Sequence, residues 1–361
     1  SGFFSSLIKT LALPLSWAYR VSVYLRNKGY DLGYLKQQMP EGPLVVSIGN
    51  IVAGGTGKTP ATLMIAQTLL EDIPVAILSR GYRSEAERAP DSFVLSHGNG
   101  PEYPVNMCGD EAYILARRLI GAYVVVGKNR CRSAEIATEM GAHLLIIDDG
   151  MQHRRLARHY EIVVMDASDP FGQGYHLPRG LLRETPHALR RADLIILNGV
   201  HSRHQLTIIK DKIRHYTTTP IVQTRMVIEK IVNNVGVEYG ELKGKTVGLL
   251  CGIGNPDSFI HTVKEAGADI ADQLIVGDHR AIGQNRLVQF ADRCYGKGAE
   301  FLVCTEKDFV KLPSLKNLTL PVVCVQAKLE IVGGEEEWRT FMTIIKSNFG
   351  HLPVGADSLS R

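Results

Sequence analysis

The residues of this chain best suited to phosphate chemistry lie in a glycine-rich segment at positions 49–60, which reads GNIVAGGTGKTP. Closely spaced glycines let successive backbone N–H groups converge on phosphate oxygens. The ammonium of Lys58 is placed to reach the β- and γ-phosphates of a nucleotide, and the hydroxyl of Thr59 to ligate Mg²⁺ at a helix N-terminus. The segment therefore predicts a nucleotide phosphate site made by Gly54, Gly55, Thr56, Gly57, Lys58 and Thr59.

The match to the common phosphate-binding pattern is incomplete. The pattern G-x-x-x-x-G-K-[ST] requires glycine at position 52, where this chain has Val52. A glycine-rich turn that holds no ligand is the alternative explanation. The context favours phosphate binding, because the segment follows an apolar run directly and precedes a helical pattern.

A second candidate is an acidic turn, Asp148-Asp149-Gly150, at the end of the apolar run 143–147. In parallel α/β folds, ligands bind outside the carboxyl ends of the strands. One aspartate would hold Mg²⁺, directly or through water, and the other would shape the acceptor site. The spacing does not assign the two roles, and a glycine-containing acidic turn without a catalytic role is the alternative.

Two further acidic or basic groups have ordinary structural explanations. Asp110 and Glu111 open a predicted helix at 109–120, where a capping aspartate and a first-turn glutamate are common. His279 follows Asp278 in the second half of the chain, and an isolated histidine is most often a surface or satisfied residue. Residue type and spacing alone therefore favour capping for the first pair and no role for His279.

Positioning these groups requires a layered fold, and the pattern of the chain predicts one. Short β-branched runs alternate with helical stretches, which is typical of parallel α/β architecture. The predicted strands are 44–49, 75–78, 123–126, 143–148, 161–166 and 193–198, with helices at 58–71, 109–120, 130–140 and 202–215. A second series begins near position 246 and contains a helix near 256–266 and strands at 301–308 and 320–326.

The predicted fold class is α/β, with a P-loop NTPase-like α/β/α N-terminal lobe and a smaller α/β C-terminal lobe. The predicted division is a membrane-interface helix at 1–26, a P-loop domain at 27–220, a two-stranded linker at 221–244, a C-terminal α/β domain at 245–347 and a tail at 348–361. The stretch 221–244 is rich in Val and Ile, so extended strands are favoured over a disordered hinge.

Composition excludes several other classes of protein. With 361 residues, 45% of them hydrophobic and 22% charged, the chain can form a large core. Its net charge of +4 is too small to indicate nucleic acid as the main partner, and no segment indicates an obligate protein partner. The six cysteines are scattered singly, which disfavours a zinc site or a disulfide framework and favours a reducing compartment.

The N-terminal segment 3–25 predicts an amphipathic helix at a membrane surface. At helical spacing one stripe is apolar, made by Phe4, Ile8, Leu11, Leu15, Ala18, Val21 and Leu25. Trp17, Tyr19 and Tyr24 suit the headgroup depth, and Lys9, Arg20, Arg26 and Lys28 suit lipid phosphates. Because charges and Pro14 interrupt the run, it is too polar to predict a span. A helix docked on the protein's own core is the alternative.

Several motifs in this order resemble the tetraacyldisaccharide 4′-kinase family. They are VSIGNIVAGGTGKTP, LSRGY, GDE, DDGMQH, LPRGLLRE, CGIGNP, VGDH and TEKD, and together they extend over nearly all of the chain. The resemblance implies ATP- and Mg²⁺-dependent phosphorylation of the 4′-hydroxyl of tetraacyldisaccharide 1-phosphate, an acylated glucosamine disaccharide, to give the bis-phosphorylated lipid A precursor. It also implies a peripheral or monotopic enzyme at the cytoplasmic face of the bacterial inner membrane, anchored by residues 3–25.

The resemblance also implies roles for individual residues. Asp110 matches the general base, His279 its dyad partner from the second lobe, and Lys58 the phosphate-binding lysine. Thr59 and Glu111, with Asp148 or Asp149, match the Mg²⁺ ligands. The positions that match substrate contacts are Asn50, Arg80, Arg130, Gln152, His153 and Arg183. Met151 and Arg179 depart from the expected family motifs, so local substrate contacts are less specified there.

Two other functions fit parts of the pattern. A membrane-associated switch ATPase of the deviant-Walker class carries the loop K-G-G-x-G-K-[ST], but here Ala53 replaces its signature lysine. A nucleotide-binding module without catalysis would be expected to have lost its acidic positions, and all four are present at 110, 111, 148 and 149. The kinase hypothesis is therefore favoured over both.

Overall fold

A computed structural model of the protein describes residues 12–199, 203–233, 236–252, 256–277 and 282–349. The chain divides into two compact units. The first contains the chain up to Arg225 and the chain from Ile331 onward, and the second is Met226–Glu330. All predicted site residues except His279 belong to the first unit, and His279 lies outside the described residues.

The elements up to the exit from the first unit are α1 (Leu13–Asp31), β1 (Leu44–Gly49), α2 (Lys58–Leu70), β2 (Val75–Ser79), β3 (Phe93–His97), α3 (Val105–Cys108), α4 (Asp110–Arg118), β4 (Tyr123–Val126), α5 (Arg130–Glu139), β5 (Leu144–Asp148), β6 (Tyr160–Asp166), β7 (Leu194–Asn198), α6 (Arg203–Arg214) and β8 (Ile221–Val232). They are followed by β9 (Thr246–Cys251), α7 (Pro256–Glu265), β10 (Asp269–Ile275), α8 (Gln284–Gly296), β11 (Phe301–Thr305), α9 (Glu306–Phe309), β12 (Val322–Gly333) and α10 (Glu335–Phe349).

The strands of the first unit are ordered β8-β7-β6-β1-β5-β2-β4-β3. Every neighbouring pair is parallel except β4 with β3, which is antiparallel. Every residue of β1, β2, β5 and β7 is buried, as expected for apolar strands covered by helices on both faces. Because the strands are parallel, the carboxyl ends of β1, β5, β6 and β7 share one edge, where α/β folds bind their ligands.

The second unit has its own parallel strands, ordered β10-β9-β11-β12. Two apolar clusters cover them, one built around Leu287 and Phe290 of α8, the other around Phe259 and Val263 of α7. Strands β8 and β12 carry the chain out of and back into the first unit, because each crosses the boundary between the units.

Helix α1 contacts the first unit through polar side chains. Pro14 lies in its first turn, where a missing N–H costs no helical hydrogen bond. The Ser16 hydroxyl donates to the His176 carbonyl oxygen at 2.6 Å, and the Tyr19 hydroxyl to the Arg183 carbonyl oxygen at 3.3 Å. Within the described ranges, no helix combines the length and apolar character needed to cross a bilayer.

The α/β prediction is confirmed, and most predicted elements agree with the structure to within one or two residues. Two predictions were wrong in detail. The strand expected over 301–308 ends at Thr305, where the Thr305 hydroxyl accepts from the Asp308 N–H and starts α9. The strand expected over 320–326 begins at Val322 and continues to Gly333. Strands β3 and β10 and helices α8 and α10 were not predicted. The predicted linker 221–244 holds β8 and an isolated bridge between Val232 and Glu238. Helix α10, whose residues were assigned mainly to the C-terminal domain, belongs to the first unit.

Candidate active site

The glycine-rich loop joins the carboxyl end of β1 to the first turn of α2, as the sequence predicts. Gly54 and Gly57 have positive φ angles of 116° and 91°, which only glycine adopts without strain. Asn50 is fully buried, and its Nδ2 donates to the Thr56 hydroxyl at 3.0 Å across the loop. The Asn50–Thr56 hydrogen bond therefore helps to hold the loop, which leads into a helix N-terminus, a common site for phosphate.

A distant segment, residues 181–184, supports the same loop. The Ala53 N–H donates to the Leu181 carbonyl oxygen at 2.7 Å, and the Arg183 N–H to the Ile51 carbonyl oxygen at 2.8 Å. An isolated antiparallel bridge lies between these two contacts. We call residues 181–184 the support segment, because it pairs with the phosphate loop in the manner of a short second strand.

The acidic turn after β5 faces the lysine of the loop. Lys58 Nζ lies 3.6 Å from Asp149 Oδ1, and Arg183 Nη1 donates to both carboxylate oxygens of Asp149 at 2.8 and 2.9 Å. Burial raises the pKa of Asp149, but the charges of Lys58 and Arg183 outweigh burial and hold that pKa below its ordinary value. Asp149 also has a positive φ of 51°, an uncommon backbone geometry found at functional turns.

Asp148 lies in a different environment one residue earlier. It is buried, and the Thr62 hydroxyl donates to its Oδ1 at 3.4 Å. Burial, together with the charges of Glu111 and Asp149, raises the pKa of Asp148 to about 7. The two neighbouring aspartates are therefore shifted in opposite directions, a pattern common where carboxylates serve different chemical roles.

Asp110 and Glu111 form the first turn of α4, beside this acidic turn. The Glu111 N–H donates to Asp110 Oδ1 at 3.1 Å, and Gly109 occupies the cap position with φ of 88°. Asp110 is therefore the first helical residue and does not cap the helix. The sequence pattern alone favours a capping role for this residue. The influence of Glu111 on the pKa of Asp148 brings this turn and the end of β5 into one acidic group.

Arg130 lies inside the protein at the start of α5. It is 3% exposed and donates to the carbonyl oxygens of Gly127 at 2.6 Å and Asp148 at 3.4 Å. Burial lowers the pKa of Arg130 to about 10, so the guanidinium stays charged at neutral pH. The structure thus places this predicted substrate residue behind the acidic turn, and its contact with substrate stays a prediction.

Two other predicted substrate residues differ in exposure. Burial, with the charges of nearby arginines, lowers the pKa of His153 to about 4, so its imidazole is neutral at pH 7. Its Nε2 is buried and has no hydrogen-bond partner among the described residues. Arg80 is instead exposed just after β2, where Nη2 lies 3.1 Å from Glu87 Oε1.

Gln152 joins the phosphate loop to the acidic turn. Its Nε2 donates to the Asn50 carbonyl oxygen at 2.9 Å and to Glu184 Oε1 at 3.0 Å, while its Oε1 accepts from Arg183 Nη1 at 3.2 Å. These contacts are internal to the protein. They give Gln152 and Asn50 a structural part in the site, and their predicted contact with substrate stays a prediction.

Comparison with known proteins identifies the family. The family model for tetraacyldisaccharide-1-P 4′-kinase matches residues 8–345. The chain belongs to the tetraacyldisaccharide-1-P 4′-kinase family. The resemblance expected from the sequence motifs is therefore confirmed.

Individual relatives of this kinase family agree. The tetraacyldisaccharide 4′-kinase of Halothermothrix orenii is 36% identical over 309 residues, which cover 81% of this chain and 80% of the relative. That of Anaeromyxobacter dehalogenans strain 2CP-C is 40% identical over 322 residues, covering 86% and 84%. The crystal structure of LpxK from Aquifex aeolicus in complex with ATP matches with a TM-score of 0.74 at 26% identity, covering 94% of this chain and 99% of that one.

In this member of the kinase family, sequence reasoning missed three residues of the site. Thr62 lies one helical turn beyond Thr59, a spacing that could have revealed it. Glu184 closes the motif LPRGLLRE, but no spacing rule connects it with Gln152. Asn198, at the end of β7, packs so closely on Gly57 that a Cβ there would lie 2.7 Å from its Nδ2.

Proposed function

We infer that this chain transfers the γ-phosphate of ATP to the 4′-hydroxyl of tetraacyldisaccharide 1-phosphate. The observation that carries this inference is the approach of Lys58 in the phosphate loop to Asp149 at the end of β5, 3.6 Å apart, in a member of this family. A cation beside a nucleotide cradle and acids at the neighbouring strand end are the parts that phosphoryl transfer needs.

ATP would bind at the N-terminus of α2. The backbone N–H groups of the loop from Gly54 to Gly57 would meet the phosphate oxygens, and Lys58 would meet the β- and γ-phosphates. In this arrangement the ion pair between Lys58 and Asp149 would weaken as the Lys58 ammonium binds the phosphates. Positioning and charge stabilisation, rather than covalent chemistry, would supply most of the rate.

The acidic group around Asp148 fits a magnesium ion. Burial and neighbouring carboxylates disfavour the negative charge of Asp148, and a divalent cation would offset this cost. Among the described residues, no three His, Cys, Asp or Glu side chains are arranged to hold a metal ion by themselves. Mg²⁺ is commonly bound by one or two carboxylates together with phosphates and water. We propose Thr59, Glu111 and one of the two aspartates as its ligands. When bound, Mg²⁺ would neutralise charge on the phosphates.

Asp110 is proposed as the group that receives the proton of the sugar hydroxyl. It is buried at the start of α4, beside the acidic group. Because the transition state of phosphoryl transfer is loose in most analyses, Asp110 would mainly orient the hydroxyl in line and take its proton late. His279, its proposed partner, lies outside the described residues.

The charged groups around the site support binding of a phosphorylated sugar. Arg183 is partly exposed beside Asp149, and Arg80 is exposed at the end of β2. A planar guanidinium can bind phosphate through two parallel hydrogen bonds. We propose these two arginines, with His153, as contacts to the sugar and its 1-phosphate, while Asn50, Arg130 and Gln152 shape the wall behind them.

Helix α1 supports attachment to a membrane surface. Ser16, Tyr19 and Asn27 donate hydrogen bonds to the rest of the first unit. Leu15 and Trp17, by contrast, are 63% and 65% exposed, and Leu13, Tyr24 and Leu25 are also exposed. A helix docked on its own core would show the reverse pattern. Exposed apolar side chains on one helix favour burial at a lipid interface. We therefore propose a peripheral enzyme at the cytoplasmic face of the bacterial inner membrane.

The test is a transfer assay with γ-labelled ATP, Mg²⁺ and detergent-dispersed tetraacyldisaccharide 1-phosphate. Labelled lipid should appear with the native protein, and Asp110→Asn should lower kcat by about 10²–10⁴-fold, the range for a positioned base. The variant should bind a non-hydrolysable ATP analogue normally, because Asp110 lies outside the phosphate loop. Steady ATP hydrolysis without labelled lipid would instead favour a switch ATPase, and near-normal turnover of the variant would exclude the proposed base.

A further inference from the structure

Glu184 is a carboxylate held inside the first unit, with 1% of its surface exposed. Arg191 Nη2 lies 2.8 Å from its Oε2 and supplies the opposite charge. Two side-chain amides also donate to it, Asn27 Nδ2 to Oε2 at 2.6 Å and Gln152 Nε2 to Oε1 at 3.0 Å. The ion pair satisfies the charge, but the two amides join Glu184 to separate parts of the protein.

One amide leads to the nucleotide site. Gln152 donates to the Asn50 carbonyl oxygen in the phosphate loop at 2.9 Å and accepts from Arg183, which holds Asp149. Gln152 thus has both of its amide hydrogens and its carbonyl oxygen engaged. Glu184 and the Asn50 carbonyl group accept the two hydrogens and Arg183 donates to the oxygen, so all three partners define the orientation of this amide and a rotated amide would present the wrong group to each.

The other amide leads to the membrane-facing helix. Asn27 is in the last third of α1, and its backbone carbonyl oxygen accepts from Arg154 Nη1 at 3.1 Å. The same helix contacts the support segment, where the Tyr19 hydroxyl reaches the Arg183 carbonyl oxygen. Helix α1 and the phosphate loop are therefore linked indirectly, through Glu184 and Gln152 and through Arg183 of the support segment.

We propose that Glu184 is a positioning residue that couples helix α1 to the phosphate loop, so that docking of α1 sets the affinity of the site for ATP. This coupling rests on the proposed function, since it concerns the nucleotide site of the kinase and the helix assigned to the membrane. Its physical basis is a continuous hydrogen-bonded path from Asn27 through Glu184 and Gln152 to the Asn50 carbonyl group.

Two variants interrupt the path at different points. Glu184→Gln keeps the shape but replaces one acceptor oxygen by an NH₂ group that faces two of the donors, and Asn27→Ala removes only the link to α1. Each is titrated with a non-hydrolysable ATP analogue and Mg²⁺ in a calorimeter. We expect the Kd to rise about fivefold for Glu184→Gln and about threefold for Asn27→Ala, within the range of measured coupling effects, with unchanged stoichiometry.

The stoichiometry separates positioning from folding. A purely structural role would lower the fraction of competent protein, and hence the binding stoichiometry, while leaving the Kd of the folded fraction unchanged. That result in both variants would overturn the proposal. Asn27→Gln provides a further test, because it restores a side chain that can donate to Glu184. If the Asn27–Glu184 hydrogen bond sets the affinity, the Kd of Asn27→Gln should be closer to the native value than the Kd of Asn27→Ala.

Two control variants have the same setting as the test variants, one on helix α1 and one at a buried carboxylate. Ser22→Ala changes an exposed position on the same helix, and its Kd should stay within about twofold of the native value. Glu161→Gln removes another buried carboxylate of the first unit, paired with Arg158 at 2.7 Å, without touching Gln152. An equal rise in Kd for Glu161→Gln would overturn the proposal, since the loss of any buried ion pair would then have the same effect.

The double variant tests whether the two residues act along one path. If Asn27 acts through Glu184, the Kd of the double variant should be close to that of Glu184→Gln alone, whereas independent effects would multiply to about 15-fold. Multiplied effects would overturn the coupling. The outcome is separate from that of the proposed function, because native protein that binds the analogue but labels no lipid would disprove the kinase assignment and leave these binding measurements valid.

Discussion

Gly57 offers a quantitative test of how the phosphate loop is held. Its φ of 91° lies in the left-handed region, and a Cβ added there would lie 2.7 Å from Nδ2 of the buried Asn198. The left-handed conformation costs a non-glycine residue about 1–2 kcal/mol. Displacing a packed side chain adds about 1–3 kcal/mol. Gly57→Ala should therefore lower the free energy of unfolding by roughly 2–5 kcal/mol.

Gly55 is the matched control within the same loop. Its φ is not positive, and no heavy atom lies within 4 Å of a Cβ built there. In thermal unfolding without nucleotide, Gly55→Ala should leave Tm almost unchanged, whereas Gly57→Ala should lower it by roughly 4–20 °C, at about 2–4 °C per kcal/mol. Equal Tm values for the two variants would refute the strain argument.

A double variant divides the cost of Gly57→Ala into its two parts. In an Asn198→Ala background the close contact is gone and only the left-handed conformation remains, so the same substitution should cost about 1–2 kcal/mol. An unchanged cost in that background would show that Asn198 does not restrict the loop. A cost near zero would show that the loop relaxes to another conformation.

Three further predictions follow from named contacts. Arg183→Lys removes the rigid planar guanidinium whose Nη1 donates to both oxygens of Asp149 and to Gln152 Oε1, so kcat in the labelled-lipid assay should fall by about 10²-fold, and an unchanged kcat would exclude a role for this pair. In the native protein the thiols should be nearly inert to an aromatic disulfide reagent between pH 7 and 9. All six cysteines are buried, and burial raises the pKa of Cys108 to about 12, so little thiolate forms until the protein unfolds. Rapid labelling of the native protein would contradict this prediction. The double variant Leu15→Ser/Trp17→Ser should bind anionic vesicles at least about tenfold more weakly in a flotation assay while binding the ATP analogue normally, and unchanged flotation would remove α1 from the membrane surface.

Much of the fold follows from local sequence pattern. The segment from β1 to α2 could be predicted almost to the residue, because a fully buried parallel strand is a continuous apolar run and the glycines mark the turn after it. Strands β3 and β10 escaped prediction. Each is at one end of the strand order of its unit, and several residues in each are only partly buried or exposed, so their apolar patterns are weak.

The candidate site likewise contains residues that could be predicted from the sequence and residues that could not. Lys58, Asp148 and Asp149 could be predicted, since each follows a strand whose carboxyl end must lie at the shared edge of the sheet. The burial of Arg130 behind Asp148 could not, because its position at a helix start gives no sign of which strand end it meets. The same applies to Asn198, whose closeness to Gly57 depends on the order of the strands.

By itself the sequence determined the phosphate loop, the acidic turn, the alternation of strands and helices and the family, because these depend on residues close together along the chain. Only the tertiary structure decided that residues 181–184 support the loop, that Glu184 lies between Asn27 and Gln152, and that α1 contacts the support segment through Tyr19 and Asn27. The reason is physical. Backbone conformation is governed by neighbouring residues, whereas a hydrogen bond between distant side chains exists only after strand order and helix packing have brought them within reach.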